Sequence, residues 1–154
     1  SNTGDGNIKS WFGIVRVDGW GENDFVFLQD TANDDNAVGS SEEVMRITSD
    51  GKVGVGENAP DTTLHVTSTN PYLTLENSST EDSDTGRESQ VRFQGRQSGG
   101  EVSVLAKIQG SHDGSSDDEK GHMLFYTNAG GSEAIRLKID SSGVADFKYG
   151  IKLL

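Results

Sequence analysis

The sequence predicts an all-β chain of repeated antiparallel strands, an arrangement that packs as a β-sandwich, and three observations predict it. Apolar residues alternate with polar ones at period two, as Ile135, Leu137 and Ile139 do against Arg136, Lys138 and Asp140, a pattern no helical stripe can match. No stretch of ~12 residues carries a 3.6-residue period, so helix is expected to be close to absent. One series of strands also occurs twice: the glycine-bearing turn "ITSDGKV" (47 to 53) is answered 92 residues later by "IDSSGVA" (139 to 145).

The elements follow in chain order. Runs rich in β-branched and aromatic residues, ended by Gly, Asn, Asp or Ser, lie at Phe12 to Val17, Phe25 to Leu28, Val44 to Thr48 and Leu64 to Thr67. Four more follow at Tyr72 to Glu76, Gln90 to Gln94, Val102 to Gln109 and Met123 to Thr127. Beyond the alternating run at 135 to 139, the spacing of Ala145, Phe147, Tyr149, Ile151 and Leu153 predicts one long C-terminal strand with a single apolar face. Polar connections at 29 to 43, 76 to 89 and 110 to 121 exceed hairpin length, which marks them as functional or mobile segments.

Composition narrows the function classes. Only 31% of the 154 residues are hydrophobic and 20 are glycine, too little for a generous core, so the strand faces are expected to be buried against other copies of the chain. A net charge of −12 repels nucleic-acid phosphates and anionic membrane surfaces, and no apolar run approaches the ~20 residues that span a bilayer. Neither nucleic acid nor membrane insertion is expected. With no cysteine there is no disulfide framework and no thiolate chemistry. No signal peptide is visible, and the start at Ser1 and Asn2 suggests a processed or excised piece of a longer protein.

The repeat sets the domain organisation. "VMRITSDGKVGV" (44 to 55) matches "RLKIDSSGVADF" (136 to 147), "FVFLQDT" (25 to 31) matches "MLFYTNA" (123 to 129), and "IVRVDG" (14 to 19) matches "LAKIQG" (105 to 110). Two β repeats result, 1–66 and 67–154. Gly51 and Gly143 then sit where a hairpin turn needs positive φ. Gly51, Gly54 and Gly56 do not form a phosphate-cradling loop, because that loop opens a helix and these glycines lead to Pro60 and another strand.

"MRITSDGKVGVGENAPDTTLHV" (45 to 66) resembles a signature of bacteriophage tail fibres and related appendage proteins, M-R-I-x-x-x-G-x-V-G-I-G-x-x-x-P-x-x-x-L-H-V, often found upstream of an intramolecular chaperone domain of the endosialidase type. Leu73 to Asn77, Val91 to Phe93, Ala106 to Gly110, Leu124 to Thr127 and Arg136 to Gly143 are similar to the strands of such a module. Two departures stand out. Glu57, Asn58 and Ala59 replace threonine-rich residues, and no chaperone follows Leu154, so it was cleaved off, left out or never present. The resemblance implies a homotrimeric, β-prism-like fibre module in a virion tail appendage outside the cell. Its expected partners are other tail proteins and a host surface glycan or other receptor.

Several residues are candidates for chemistry. Exposed aromatic planes beside Asp and Asn hold sugars, which makes Trp20 with Asp18, Asn23 and Asn23's neighbour Asp24 the candidate glycan contacts; packing of the ring on a sheet or trimer interface is the competing reading. His112 and His122 bracket an acidic loop, and with Asp113 and Asp117 they could hold calcium or a transition metal, against the alternative of a solvated turn. The acidic loops lack the glycine and glutamate of an EF-hand. No other cofactor is expected. With no Cys and no G-x-S-x-G elbow, no enzyme is expected. A polysaccharide depolymerase with an intersubunit site and a secreted bacterial carbohydrate-binding or adhesin domain are the alternatives to a fibre segment.

Overall fold

The computed structural model describes residues 10–17, 21–30, 36–148 and 150. They form two compact units, one up to Leu73 and one from Thr74 on, seven residues beyond the expected boundary after 66. The described residues are all-β, with a single 3₁₀ turn at Ser40–Glu42 and no α-helix. Among the described residues no helix is long and apolar enough to cross a membrane.

The first unit is one five-stranded sheet of β1 (Ser10–Arg16), β2 (Asn23–Gln29), β3 (Glu43–Ile47), β4 (Val53–Val55) and β5 (Leu64–Val66), in sequential order. The pairs are antiparallel except β4 with β5, which run parallel. Gly56 and the buried Pro60 lie in the crossover that turns the chain back alongside β4. The second unit is a five-stranded meander of β6 (Ser89–Arg96), β7 (Val102–His112), β8 (Gly121–Asn128), β9 (Glu133–Ile139) and β10 (Ala145–Phe147), antiparallel throughout.

The repeat is visible in the register. Phe25 opposes Ile47 as Met123 opposes Ile139, and Phe27 opposes Met45 as Phe125 opposes Leu137. Gly51 and Gly143 take φ of 85° and 84°, the left-handed conformation expected of both turns. Strands β1 to β4 thus correspond to β7 to β10. The upstream alignment needs correction: Phe12 and Ile108 hold equivalent places, opposite Phe27 and Phe125, so Ile14 corresponds to Gly110 and not to Leu105. The alternation in the 11-residue β7 allows more than one match by sequence, and only the ladder selects one.

Two further expectations differ from the structure. Tyr72 to Glu76 form no strand and are exposed, with Tyr72 at 85%. The expected C-terminal strand stops at Phe147, where Lys148 N donates to Arg136 O and Gly150 N to Phe147 O in a turn; Tyr149 and 151–154 lie outside the described residues.

Successive side chains point to opposite sides of a strand, so the register sorts each sheet into two faces. One face of the first sheet carries two cross-strand rows without a polar side chain. The first row is Ile14, Phe25, Ile47, Val53 and Leu64; the second is Phe12, Phe27, Met45, Val55 and Val66. Phe12 stacks on Phe27 at 4.6 Å between ring centres. The second sheet repeats the pattern with one polar exception: the row Val91, Ile108, Phe125, Leu137 and Phe147 lies beside Ser89, Gly110, Met123, Ile139 and Ala145. These rows are largely open, Phe12 to 60% and Leu64 to 57%. On the opposite faces lie the fully buried apolar side chains among the described residues, Val26 and its counterpart Leu124.

Leu124→Ala is expected to cost ~2–5 kcal/mol in equilibrium denaturation, since it empties the one buried apolar site of its sheet. Gly143→Ala is expected to cost about 1 kcal/mol, because a side chain at φ 84° is strained although no atom stands in its way.

Candidate functional site

The densest polar cluster lies at one end of the second sheet, where β7 ends, β8 begins and the Gly143 turn joins β9 to β10. Asp113, just past β7, is its centre. Its Oδ1 accepts from Lys138 Nζ at 2.9 Å and lies 3.2 Å from His122 Nδ1, and its Oδ2 accepts from Ser141 N at 2.9 Å. The Ser141 N–H and the Lys138 ammonium hold the Asp113 carboxyl well below the usual carboxylate range. The carboxylate therefore clamps the first residues of the turn to the strand beside it.

A chain of hydrogen bonds reaches this clamp from the edge strand. Arg92 Nε donates to Gln90 Oε1, Gln90 Nε2 to Gln109 Oε1, and Gln109 Nε2 to Ser111 Oγ, at 3.0, 2.8 and 3.2 Å. Ser111 Oγ then has its own hydrogen for His122 Nε2, 2.8 Å away, which leaves the Nδ1 hydrogen for Asp113. Gln109, Ser111 and His122 are buried, and the chain satisfies each of them.

His112 faces a second fastening. Its side chain is fully enclosed, with Nε2 3.1 Å from Asp118 Oδ1 and Nδ1 3.4 Å from Ser83 O. Its backbone pairs both ways with the preceding segment: His112 N donates to Gly86 O, and Thr85 N to His112 O. Arg87 Nη2 donates to Asp118 O, and Asp84 Oδ1 accepts from Gly114 N. The acidic loop at 110 to 121 is thus tied to residues 83–87. Lys120 and His112 depress the Asp118 carboxyl to about 2.

The first sheet builds the same clamp from different parts. Asp24 Oδ2 accepts from Arg46 Nη1 at 2.5 Å and Oδ1 from Ser49 N at 2.8 Å, while Arg46 forks onto both oxygens of Glu43. Arg46 corresponds to Lys138 and Ser49 to Ser141, but the ladder places His122 where Asp24 stands. In the second sheet the carboxylate comes instead from the end of β7. The paired carboxylates push the Arg46 guanidinium above its ordinary range.

The sequence-predicted residues are therefore distributed as follows. Asp18 and Trp20 lie outside the described residues. Asn23 is exposed and donates from Nδ2 to Gly21 O at 2.7 Å. Asp24 is buried with both oxygens engaged in the clamp, so it does not face solvent as a sugar contact would. Of His112, Asp113, Asp117 and His122, the structure joins Asp113 to His122; it brings Asp84 beside them, whereas Asp117 is exposed on the loop. Ligand atoms of Asp84, Asp113 and His122 lie within 4.8 Å of one another. Each is already bonded to a protein group, and a cation there has to displace the Lys138 ammonium and the His122 Nδ1 hydrogen.

Arg46, Lys138, Ser49 and Ser141 were not singled out as site residues, although the repeat placed them in equivalent positions. Gln109 and Ser111 carried no signal, since only the ladder brings them to His122. Trp11, half exposed, lies over Gly13, where any Cβ would overlap its ring. The depression beside it, about 320 Å³, is bounded by Ser10, Phe12, Leu28 and Gln29.

The depressed carboxyls fix the sign of the acid response. A carboxylate whose folded pKa is lowered adds stability above its unfolded value and loses it as pH falls through the folded one. Asp118's contribution is expected to be intact above about 3.8 and to fade towards about 2, while Asp113's survives to still lower pH. Thermal unfolding followed by circular dichroism across that window checks it, and Asp118→Asn is expected to flatten the profile. No protein-family model and no curated protein sequence matches the chain.

Proposed function

We propose that the chain is a structural segment of an extracellular virion appendage, a phage tail fibre, which assembles as a homotrimer alongside other tail proteins and attaches to a host surface glycan. The observation that carries the reading is the pair of sequentially ordered sheets, each with an open, predominantly apolar face on one side and a clamped face on the other. A sheet of that design is half of an assembly, because its apolar side has to be covered to escape water. The resemblance of residues 45–66 to fibre sequences supplies the context.

The carboxylates favour a non-catalytic role. Asp24, Asp113 and Asp118 are committed to cations and backbone N–H groups of turns, an arrangement that shapes loops. Binding by weak sites repeated threefold gains strength from avidity, so exposed loop residues suffice for attachment.

Light scattering over a range of concentrations tests the reading. A mass three times the 16.5 kDa chain is expected, and a monomer at every concentration would count against it. On an array of bacterial surface glycans the assembled protein is expected to bind, with Trp20→Ala lowering retention about tenfold.

A further inference from the structure

We infer that Arg92 and Lys107, side by side on the clamped face of the second sheet, form a binding site for the carboxylate of an acidic sugar. The inference rests on the glycan-attachment reading and adds the chemistry of a ligand and the residues that take it.

The pair breaks a rule of sheet construction. Arg92 on β6 stands directly opposite Lys107 on β7, and like charges in that relation repel across the ladder. In a chain of 25 acidic and 13 basic residues, two facing cations are the rarer pairing. Lys107 has partners: its Nζ lies 3.0 Å from Glu133 Oε2 and 4.1 Å from the centre of the Tyr126 ring. Arg92 is exposed, and among the described residues it meets no carboxylate. A local rule broken without structural gain marks a position kept for another purpose. Two cations and Glu133 leave one positive charge, which a single carboxylate balances.

The geometry suits that ligand. Arg92 Nε donates to Gln90 Oε1 at 3.0 Å, and Gln90 Nε2 is bonded in turn to Gln109, so the guanidinium is oriented before a ligand arrives. That bond leaves both Nη groups for the paired hydrogen bonds that a planar fork makes to a planar carboxylate. The Lys107 ammonium adds a second charge beside the fork. At physiological ionic strength, charges more than about 8 Å apart are largely screened, so the net charge of −12 does not set the sign at this point.

The test titrates the assembled full-length protein with a short galacturonate oligomer and with a neutral galactose oligomer of the same length, followed by calorimetry. The acidic oligomer is expected to bind at least about tenfold more tightly. Arg92→Gln is expected to abolish the preference, and Arg92→Lys, which keeps the charge and loses the fork, to weaken acidic binding about tenfold. Lys52→Gln makes the same change of charge on the first sheet and is expected to leave binding unchanged. Arg92→Gln is also expected to raise the unfolding temperature of the free protein, because it removes the like-charge contact. If Arg92→Gln does not fold, Arg92→Lys decides. Equal binding of the two oligomers, or an Arg92→Lys variant that binds as tightly as the native chain, overturns the site and leaves glycan attachment standing. Failure of the native protein to bind any glycan, acidic or neutral, removes both the site and the attachment reading.

Discussion

Each sheet rests on its backbone ladder, because side-chain burial contributes so little: among the described residues, one fully buried apolar side chain apiece, Val26 and Leu124. In most domains a packed core fixes which strand lies beside which, and hydrogen bonding follows. Here the ladder must hold its register with little help from packing, and a slip of one residue would exchange the apolar and charged faces. The clamps answer that constraint. Asp24 with Arg46 and Ser49, and Asp113 with Lys138 and Ser141, tie the turn between two strands to the strand on the other side, so neither hairpin can slide.

Comparison of the clamps separates what the fold requires from what it tolerates. Both keep a cation at the place of Arg46 or Lys138, a serine N–H at the turn and a carboxylate between them. The source of the carboxylate is free to change. In the first sheet it stands on the strand itself; in the second that place holds His122, which passes a hydrogen to a carboxylate reaching in from β7. The replacement brings a longer polar chain with it, since a buried imidazole needs a partner at each nitrogen and Ser111 supplies the other.

Much of this was legible in the sequence, for physical reasons that differ by element. Period-two alternation located most strands, and the Ser-Asp-Gly and Ser-Ser-Gly turns were readable because positive φ restricts the choice of residue. Tyr72 to Glu76 deceived because its alternation has no neighbouring strand to pair with, and alternation alone does not make a ladder. The clamp was half legible. Asp24, Asp113 and His122 attracted notice as chemistry-bearing residues, but their partners are 9 to 28 residues away in the chain, and only strand register brings them together. The parallel β5 was unreadable as parallel, since strand direction depends on the path of the intervening chain around Pro60.

The strand order has a consequence for how the chain reaches its structure. In both sheets every strand pairs with its neighbour in sequence, without a Greek-key return or a long-range closure. Contact order is correspondingly low for an all-β protein, and the entropy of bringing paired segments together is that of short loops. The antiparallel strands of each sheet can therefore form hairpin by hairpin as the chain becomes available, while the parallel β5 joins the first sheet through its crossover.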